Sequence, residues 1–165
     1  WLECIVQLPD QMFFNTGITT YFWIVTNKKS KERKGKVQLI DGSSFSTSMR
    51  KNLGDKGKEI NQIQINHLFE IYKKFEEGEF CKIYPNKFFG YTKVTIEQPL
   101  IENNEKKFDK KGQPKPDPSK RDYERIPLLD NIEEYFNKEI LCNLEHSWID
   151  RTKDKVGYEI NFTKY

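Results

Sequence analysis

The stretch Leu8-Pro9-Asp10-Gln11-Met12-Phe13-Phe14-Asn15-Thr16-Gly17-Ile18 carries the residues best suited to chemistry. Two adjacent aromatics precede Asn15-Thr16-Gly17, which breaks a strand pattern and sets backbone and polar groups at a strand's mouth. An aromatic ring exposed there stacks on a planar ligand such as a nucleobase. The alternative is that Phe13 and Phe14 are core residues and Asn15-Thr16-Gly17 is a plain turn. A second group is basic: Lys28, Lys29, Lys31, Arg33, Lys34 and Lys36. These side chains suit phosphate, or they solubilise a turn, and a whole-chain charge of only +3 favours the turn. Metal and nucleophile chemistry have no such support. Cys4, Cys81 and Cys142 are far apart with no C-x-x-C, and His67 and His146 lack H-E-x-x-H spacing. No metal site is expected, and no carboxylate pair, Cys–His or Ser–His arrangement stands out. Cys4, in an apolar run, reads as a reduced buried thiol, which points to a cytoplasmic setting.

The elements that position these residues belong to a polar domain. In 165 residues, 28 Lys and Arg stand against 25 Asp and Glu, 36% are apolar and 32% charged, with a mean hydropathy of −0.83. No apolar run is long enough to span a membrane. At 14% aromatic residues, a wholly disordered chain is also unexpected. The opening Trp1-Leu-Glu-Cys-Ile-Val has no basic n-region or cleavage site, so it is no signal peptide, and it reads as a chain entered in mid-strand.

Three strands are expected first. Glu3 to Leu8 is stopped by Pro9-Asp10. Thr19 to Thr26 is so continuously β-branched and aromatic that cover on both faces is expected. Lys36 to Asp41 is closed by Gly42. Between the last two, Asn27–Gly35 holds five Lys or Arg in nine residues, a solvated turn of a length that allows a hairpin. Few helical segments are available to cover these strands. Asn61 with Gln64 makes a capping box, opening a helix with Ile65, Leu68, Phe69, Tyr72 and Phe75 on one face, ended by Gly78. Glu79–Tyr84 is expected as a strand, followed by a turn at Pro85-Asn86. Tyr91–Glu97 alternates like a half-exposed antiparallel strand, ended by Pro99. Glu102–Asp122, with Pro114, Pro116 and Pro118 at every second position, predicts a mobile or extended loop. Asp130 with Glu133 predicts a second capped helix bearing Ile132, Tyr135, Phe136 and Ile140. A last strand is expected over Gly157–Phe162.

Several stretches in order are recognisable. They run Ile5 to Ile18, Tyr21 to Lys29, Arg33 to Gly42, and Met49-Arg-Lys-Asn-Leu-Gly54. Phe89 to Leu100 and Asp150 to Phe162 follow. Together they resemble the modification subunit of type I restriction-modification enzymes, S-adenosylmethionine-dependent adenine DNA methyltransferases. The resemblance implies an α/β fold: the C-terminal half of a Rossmann-like methyltransferase sheet (last three strands, antiparallel edge hairpin) plus an α+β extension. The implied division is 1–58 for the half-sheet and 59–101 for a helix and antiparallel strand extension. Residues 102–125 form a polar Pro/Lys-rich loop and 126–165 a C-terminal helix and strand extension.

In this family an Asn side chain and a Pro carbonyl accept the hydrogens of the adenine amine, and the target base is flipped out of the duplex. The Asn-Pro-Pro-aromatic tetrapeptide and the Gly-rich cofactor loop have no counterpart here. Tyr84-Pro85-Asn86 has the wrong order and no G-x-G occurs. The resemblance therefore implies no catalytic residue in this stretch, and S-adenosylmethionine held mainly outside it. What it assigns here is the target-base pocket wall, Phe13, Phe14, Asn15, Thr16 and Gly17, with Phe13 slightly favoured to stack on the base. Arg50 and Lys51 are the better DNA-backbone candidates, beside Lys28, Lys29 and Arg33. Implied partners are double-stranded DNA, a specificity subunit, a second modification subunit and a restriction subunit, with no membrane. The competing reading is a stand-alone nucleic-acid-binding or assembly module without catalysis.

Overall fold

In the computed structural model, which describes residues Trp1–Tyr165, β1 (Leu2–Gln7) lies between β2 (Tyr21–Val25) and β3 (Lys36–Asp41). β1 pairs antiparallel with β2, through Ile5 opposite Trp23, and parallel with β3, through Ile5 opposite Leu39. The three expected strands share one mixed sheet, but the expected hairpin of the second and third does not form. Ten residues, 26–35, separate them, long enough for the chain to cross β1 and pair on its far side. Nor is β2 covered on both faces. It is the edge strand, and Trp23 is 64% exposed. Apolar continuity reports the faces a strand is able to bury, and within these residues one face of β2 packs towards a helix, as described next.

Beyond β3 come a hairpin of β4 (Thr47–Leu53) and β5 (Lys56–Glu59), then α1 (Gln62–Lys74) and β6 (Cys81–Pro85), which pairs antiparallel with β3. The capping box forms as expected. The Asn61 side chain accepts from the Gln64 N–H at 3.0 Å, and the Gln64 side chain accepts from the Asn61 N–H at 3.0 Å. Leu68, Ile71 and Tyr72 of α1 pack on Cys4, Val6, Ile40 and Cys81 of the sheet. The helix ends sooner than Gly78, because Phe75 takes the left-handed conformation, φ 53°, and closes it there. The final residues return to this unit, with the ring of Phe162 5.2 Å from that of Tyr21.

Burial between sheet and helix has a consequence for pH. It pushes the Cys4 thiol from about 9 up to about 12, with Cys81 alongside adding to the rise. Burial also raises Tyr72 to about 12, reinforced by its hydrogen bond to Glu3. Both groups are neutral when folded and ionise more readily when unfolded. The stability they contribute is complete below about pH 9 and is lost as the pH rises towards 12. Urea midpoints measured across that range are expected to fall steadily, and Cys4→Ala is expected to flatten the decline.

The chain divides into two compact units, Trp1–Asn86 with Asn161–Tyr165, and Lys87–Ile160. In the second, β7 (Gly90–Glu97) is the central strand. A small hairpin of β8 (Ile101–Glu102) and β9 (Glu105–Lys106) follows it. β10 (Asp122–Pro127) pairs antiparallel along one side of β7; β11 (Trp148–Ile149) and β12 (Lys155–Tyr158) pair along the other. β7 is therefore mostly buried rather than half-exposed. Val94 and Ile96 point into a core with Ile126, Phe136 and Ile140.

Residues 102–122 are extended and hydrogen-bonded. The Lys115 and Asp117 N–H groups donate to the Lys107 and Gln98 carbonyls, each at 2.8 Å. Pro114 and Pro116 occupy the alternate positions, where a ladder asks for no donor. The second helix, α2 (Ile132–Tyr135), continues as a π-turn over Phe136–Ile140. Its cap is Asn131, not Asp130: the Asn131 side chain accepts from the Glu133 and Glu134 N–H groups. The last strand, β12, starts two residues before Gly157 and ends at Tyr158.

Candidate nucleic-acid interface

Because β1 and β3 are parallel neighbours, they end at the same edge of the sheet, where open α/β sheets gather their ligands. Two excursions leave that edge, Leu8–Thr20 after β1 and Gly42–Ile60 after β3. The Gly42 N–H donates to the Gln7 carbonyl at 2.9 Å, and a Cβ at Gly42 would lie 2.5 Å from that oxygen. Only glycine permits this approach.

The first excursion is then stapled to the β4–β5 hairpin. Gln11 adopts φ 57°, which turns its carbonyl towards the Gly57 and Lys58 N–H groups, at 3.0 and 3.3 Å. Asp10 forms an ion pair with Lys58. The Phe14 carbonyl accepts from the Asp55 N–H at 3.0 Å. Gly54, at φ +60° in the hairpin turn, lies against Phe14. A Cβ there would meet the Phe14 carbonyl at 2.8 Å and its ring at 3.0 Å. The result is a fixed loop with its aromatics turned outward: Phe13 is 48% and Phe14 63% exposed. Thr16 closes the tip with a 3.5 Å hydrogen bond from its N–H to the Phe13 carbonyl, while Asn15 and Gly17 are exposed. The alternative of two core phenylalanines is thereby excluded within this chain.

The basic candidates separate. Arg50 and Lys51 are exposed on β4, in the stretch where its register with β5 is irregular, on the same hairpin that holds Phe14. Lys28, Lys29 and Arg33 lie in the turn between β2 and β3. Val25 pairs with Leu2, so that turn is at the opposite end of β1, about 20 Å of strand away. Lys28 is exposed there. Lys29 instead donates to the Lys36 carbonyl at 2.6 Å, and desolvation lowers its pKa. Arg33 must be withdrawn as a phosphate contact. It is 8% exposed, and its guanidinium donates to Gln38 and to the Tyr72 carbonyl while lying over the Tyr72 and Phe75 rings. A run of cations looks uniform in sequence; long-range partners single out this one.

The staple itself escaped sequence reasoning. Its one local signal was Gly54-Asp55, a two-residue turn of hairpin type in a stretch with no apolar periodicity.

S-adenosylmethionine needs polar partners for its ribose and its charged amino-acid end. The apolar groove of the first unit, about 320 Å³, is lined by residues such as Val6, Leu8, Phe22, Ile24, Leu68 and Phe69. Tyr72, also at that groove, has its hydroxyl committed to Glu3. The lining of that groove does not fit the cofactor. No three His, Cys, Asp or Glu side chains gather to hold a metal ion, and no helix is long and apolar enough to cross a membrane.

The chain is 28% identical over 83 residues to the type I restriction enzyme MjaVIII methylase subunit of Methanocaldococcus jannaschii. That match covers 50% of this chain and 14% of the relative, so the chain spans about a seventh of the relative's length. It is also similar to the crystal structure of the type I restriction-modification system methyltransferase subunit from Streptococcus thermophilus. There the identity is 21% and the TM-score 0.43, over 51% of this chain and 16% of the other. A family model, N-6 DNA Methylase, matches residues 1–111. That span takes in the whole first sheet, the Phe13–Gly17 loop and the β4–β5 hairpin, and the chain belongs to the N-6 DNA methylase family.

Proposed function

We propose that this chain is part of a type I restriction-modification methyltransferase subunit that methylates the exocyclic amine of adenine in double-stranded DNA, using S-adenosylmethionine. The observation that carries this reading is the stapled loop. Two exposed phenylalanines stand at the carboxyl end of β1, held by the hairpin that bears Arg50 and Lys51. Adenine inside a duplex is out of reach of a methyl donor, so it must leave the stack and be gripped outside it. The Phe13–Gly17 loop supplies a wall for that base, with Phe13 stacking on it. Arg50 and Lys51 hold the adjacent phosphates, and Lys28 lies too far along the sheet to share that contact.

Delivery of the methyl group belongs to residues outside this stretch, and the 165 residues alone transfer none. In the assembled enzyme a specificity subunit reads the sequence, a second modification subunit completes the clamp around DNA, and a restriction subunit joins them in the cytoplasm.

The test is the salt dependence of duplex binding by the intact subunit. Removing two phosphate contacts with Arg50→Ala and Lys51→Ala is expected to make the slope of log K against log salt shallower by about 1.8. The affinity loss should be the same on every sequence. An unchanged slope refutes the role, and methyl transfer by the 165-residue chain alone refutes the assignment as a whole.

A further inference from the structure

The sheet of the second unit has one face on its core, while the other is open around Lys93 and closes over the buried Thr95 and Glu97. On that second face, Lys93 of β7 stands directly opposite Lys155 of β12, and its other neighbour, on β10, is Arg125. Three cations thus stand side by side across adjacent strands, about 4.8 Å apart. Like charges placed directly opposite each other destabilise a sheet. The Arg125 charge is taken by Glu159 at 2.7 Å. Lys93 and Lys155 have no carboxylate partner; Lys93 lies 4.2 Å above the ring of Tyr123.

Four residues further along β7, Glu97 is 1% exposed, and one of its oxygens accepts from both Arg121 at 2.9 Å and Lys153 at 2.8 Å. Lys153 also reaches Asp150 at 2.8 Å. Four cations, Lys93, Lys155, Arg121 and Lys153, line a concavity of about 420 Å³ together with Thr95 and Thr152. Two carboxylates, Glu97 and Asp150, face four cations there, and both of them hold Lys153.

We propose that this face binds the phosphodiester backbone of a nucleic acid. Lys93 and Lys155 are the free cations that meet one phosphate; Arg121 and Lys153, fixed by the buried Glu97, present a second positive position at the Glu97 end of the same concavity. Two separate positive positions suit a backbone with successive charges better than a single small anion. The rings do not serve for base stacking, because Lys93 covers Tyr123 and the Arg125 guanidinium lies 4.9 Å over Tyr91. They orient the cations instead. Gly157 permits this, since a Cβ there would lie 2.5 Å from the Tyr91 ring. Arg121, Lys153 and Lys155 all lie beyond the stretch matched by the family model. The proposal shares a nucleic-acid partner with the proposed function but not its pocket.

The experiment is anisotropy of a short labelled duplex of arbitrary sequence, titrated with the 165-residue chain at several salt concentrations. Lys93→Gln with Lys155→Gln is expected to weaken binding about fivefold or more and to make the salt slope shallower by about 1.8. The thermal midpoint should hold or rise, because like-charge repulsion is removed, and Lys93→Arg with Lys155→Arg should retain binding. Equal affinity and slope in the Gln variant, or no binding by the unaltered chain, overturns the proposal. So does displacement of the duplex by inorganic phosphate beyond what potassium chloride of equal ionic strength achieves, which would mark a small-anion site. An Arg50→Ala, Lys51→Ala chain measured in parallel separates the two readings. Loss there alone defeats this proposal and leaves the pocket standing; loss only in the Lys93, Lys155 variant does the reverse.

Discussion

Replacing Arg33 with alanine is expected to destabilise the first unit by about 3–5 kcal/mol, the usual effect of removing one partner from a buried ion pair. Arg33 joins three elements. Its guanidinium donates to the Gln38 side chain of β3 at 3.1 Å and to the Tyr72 carbonyl at 2.5 Å, and stands 3.7 Å from Glu3 of β1. The Tyr72 carbonyl is among the last of α1, which have no partner within the helix. A cation there also meets the negative end of the helix dipole. Without Arg33, the Glu3 carboxylate keeps only the Tyr72 hydroxyl while still buried.

Helical circular dichroism in urea is the measurement, and a midpoint lower by about 2 M is expected. Arg33→Lys should recover little, since a single ammonium cannot lie flat on Tyr72 and Phe75 while donating in a fork. Arg33→Met paired with Glu3→Gln should recover more than Arg33→Met alone, because it removes the orphaned charge. A lysine variant with the original midpoint would reduce Arg33 to a surface cation, and its loss would then be read on DNA affinity instead. Any fall in DNA binding after Arg33→Ala therefore has to be judged against the folded fraction.

What the sequence made legible follows from locality. β1 and β3 are bracketed by Pro9 and Gly42, and the start of α1 is written in Asn61 and Gln64, all within a few residues of the element they define. The partner of a strand is not local. Period and composition say which faces of β2 are apolar, but not that β1 would come between it and β3. The β4–β5 hairpin has a single apolar residue, Met49, in Thr47–Asn52, so no burial pattern announced it.

The candidate site divides in the same way. Phe13, Phe14 and the following Asn-Thr-Gly declare a stacking chemistry by type and order. That they face outward depends on Gly54 and Gly57, some forty residues away, accepting the loop against their backbones. Asp130 and Asn131 illustrate a finer limit. Both are good cap residues, and a choice between neighbours is made by where Phe136 and Ile140 must point to reach the core.

Phe13→Ala in the intact subunit is expected to lower kcat/KM for duplex methylation by about 10- to 100-fold, the range that one aromatic stack on a base supports. Phe14→Ala is expected to do less. Its ring rests against the Gly54 turn, and the backbone bond from Asp55 to the Phe14 carbonyl survives the substitution. The loop then keeps its place while losing a ring that has one edge against the hairpin turn. Two further measurements separate stacking from a loss of structure. With 2-aminopurine at the target position, a flipped base brightens, and stacking on Phe13 quenches part of that signal. Phe13→Ala should therefore brighten further while Phe13→Trp stays quenched. A duplex with the target base mismatched already has a reduced flipping cost, so Phe13→Ala should recover part of its rate on that substrate. A misfolded loop would gain nothing from the mismatch. If Phe13→Ala methylates at the original rate with an unchanged 2-aminopurine signal, the exposed ring is not gripping the base. The outward pair would then have to be read as a surface for another chain.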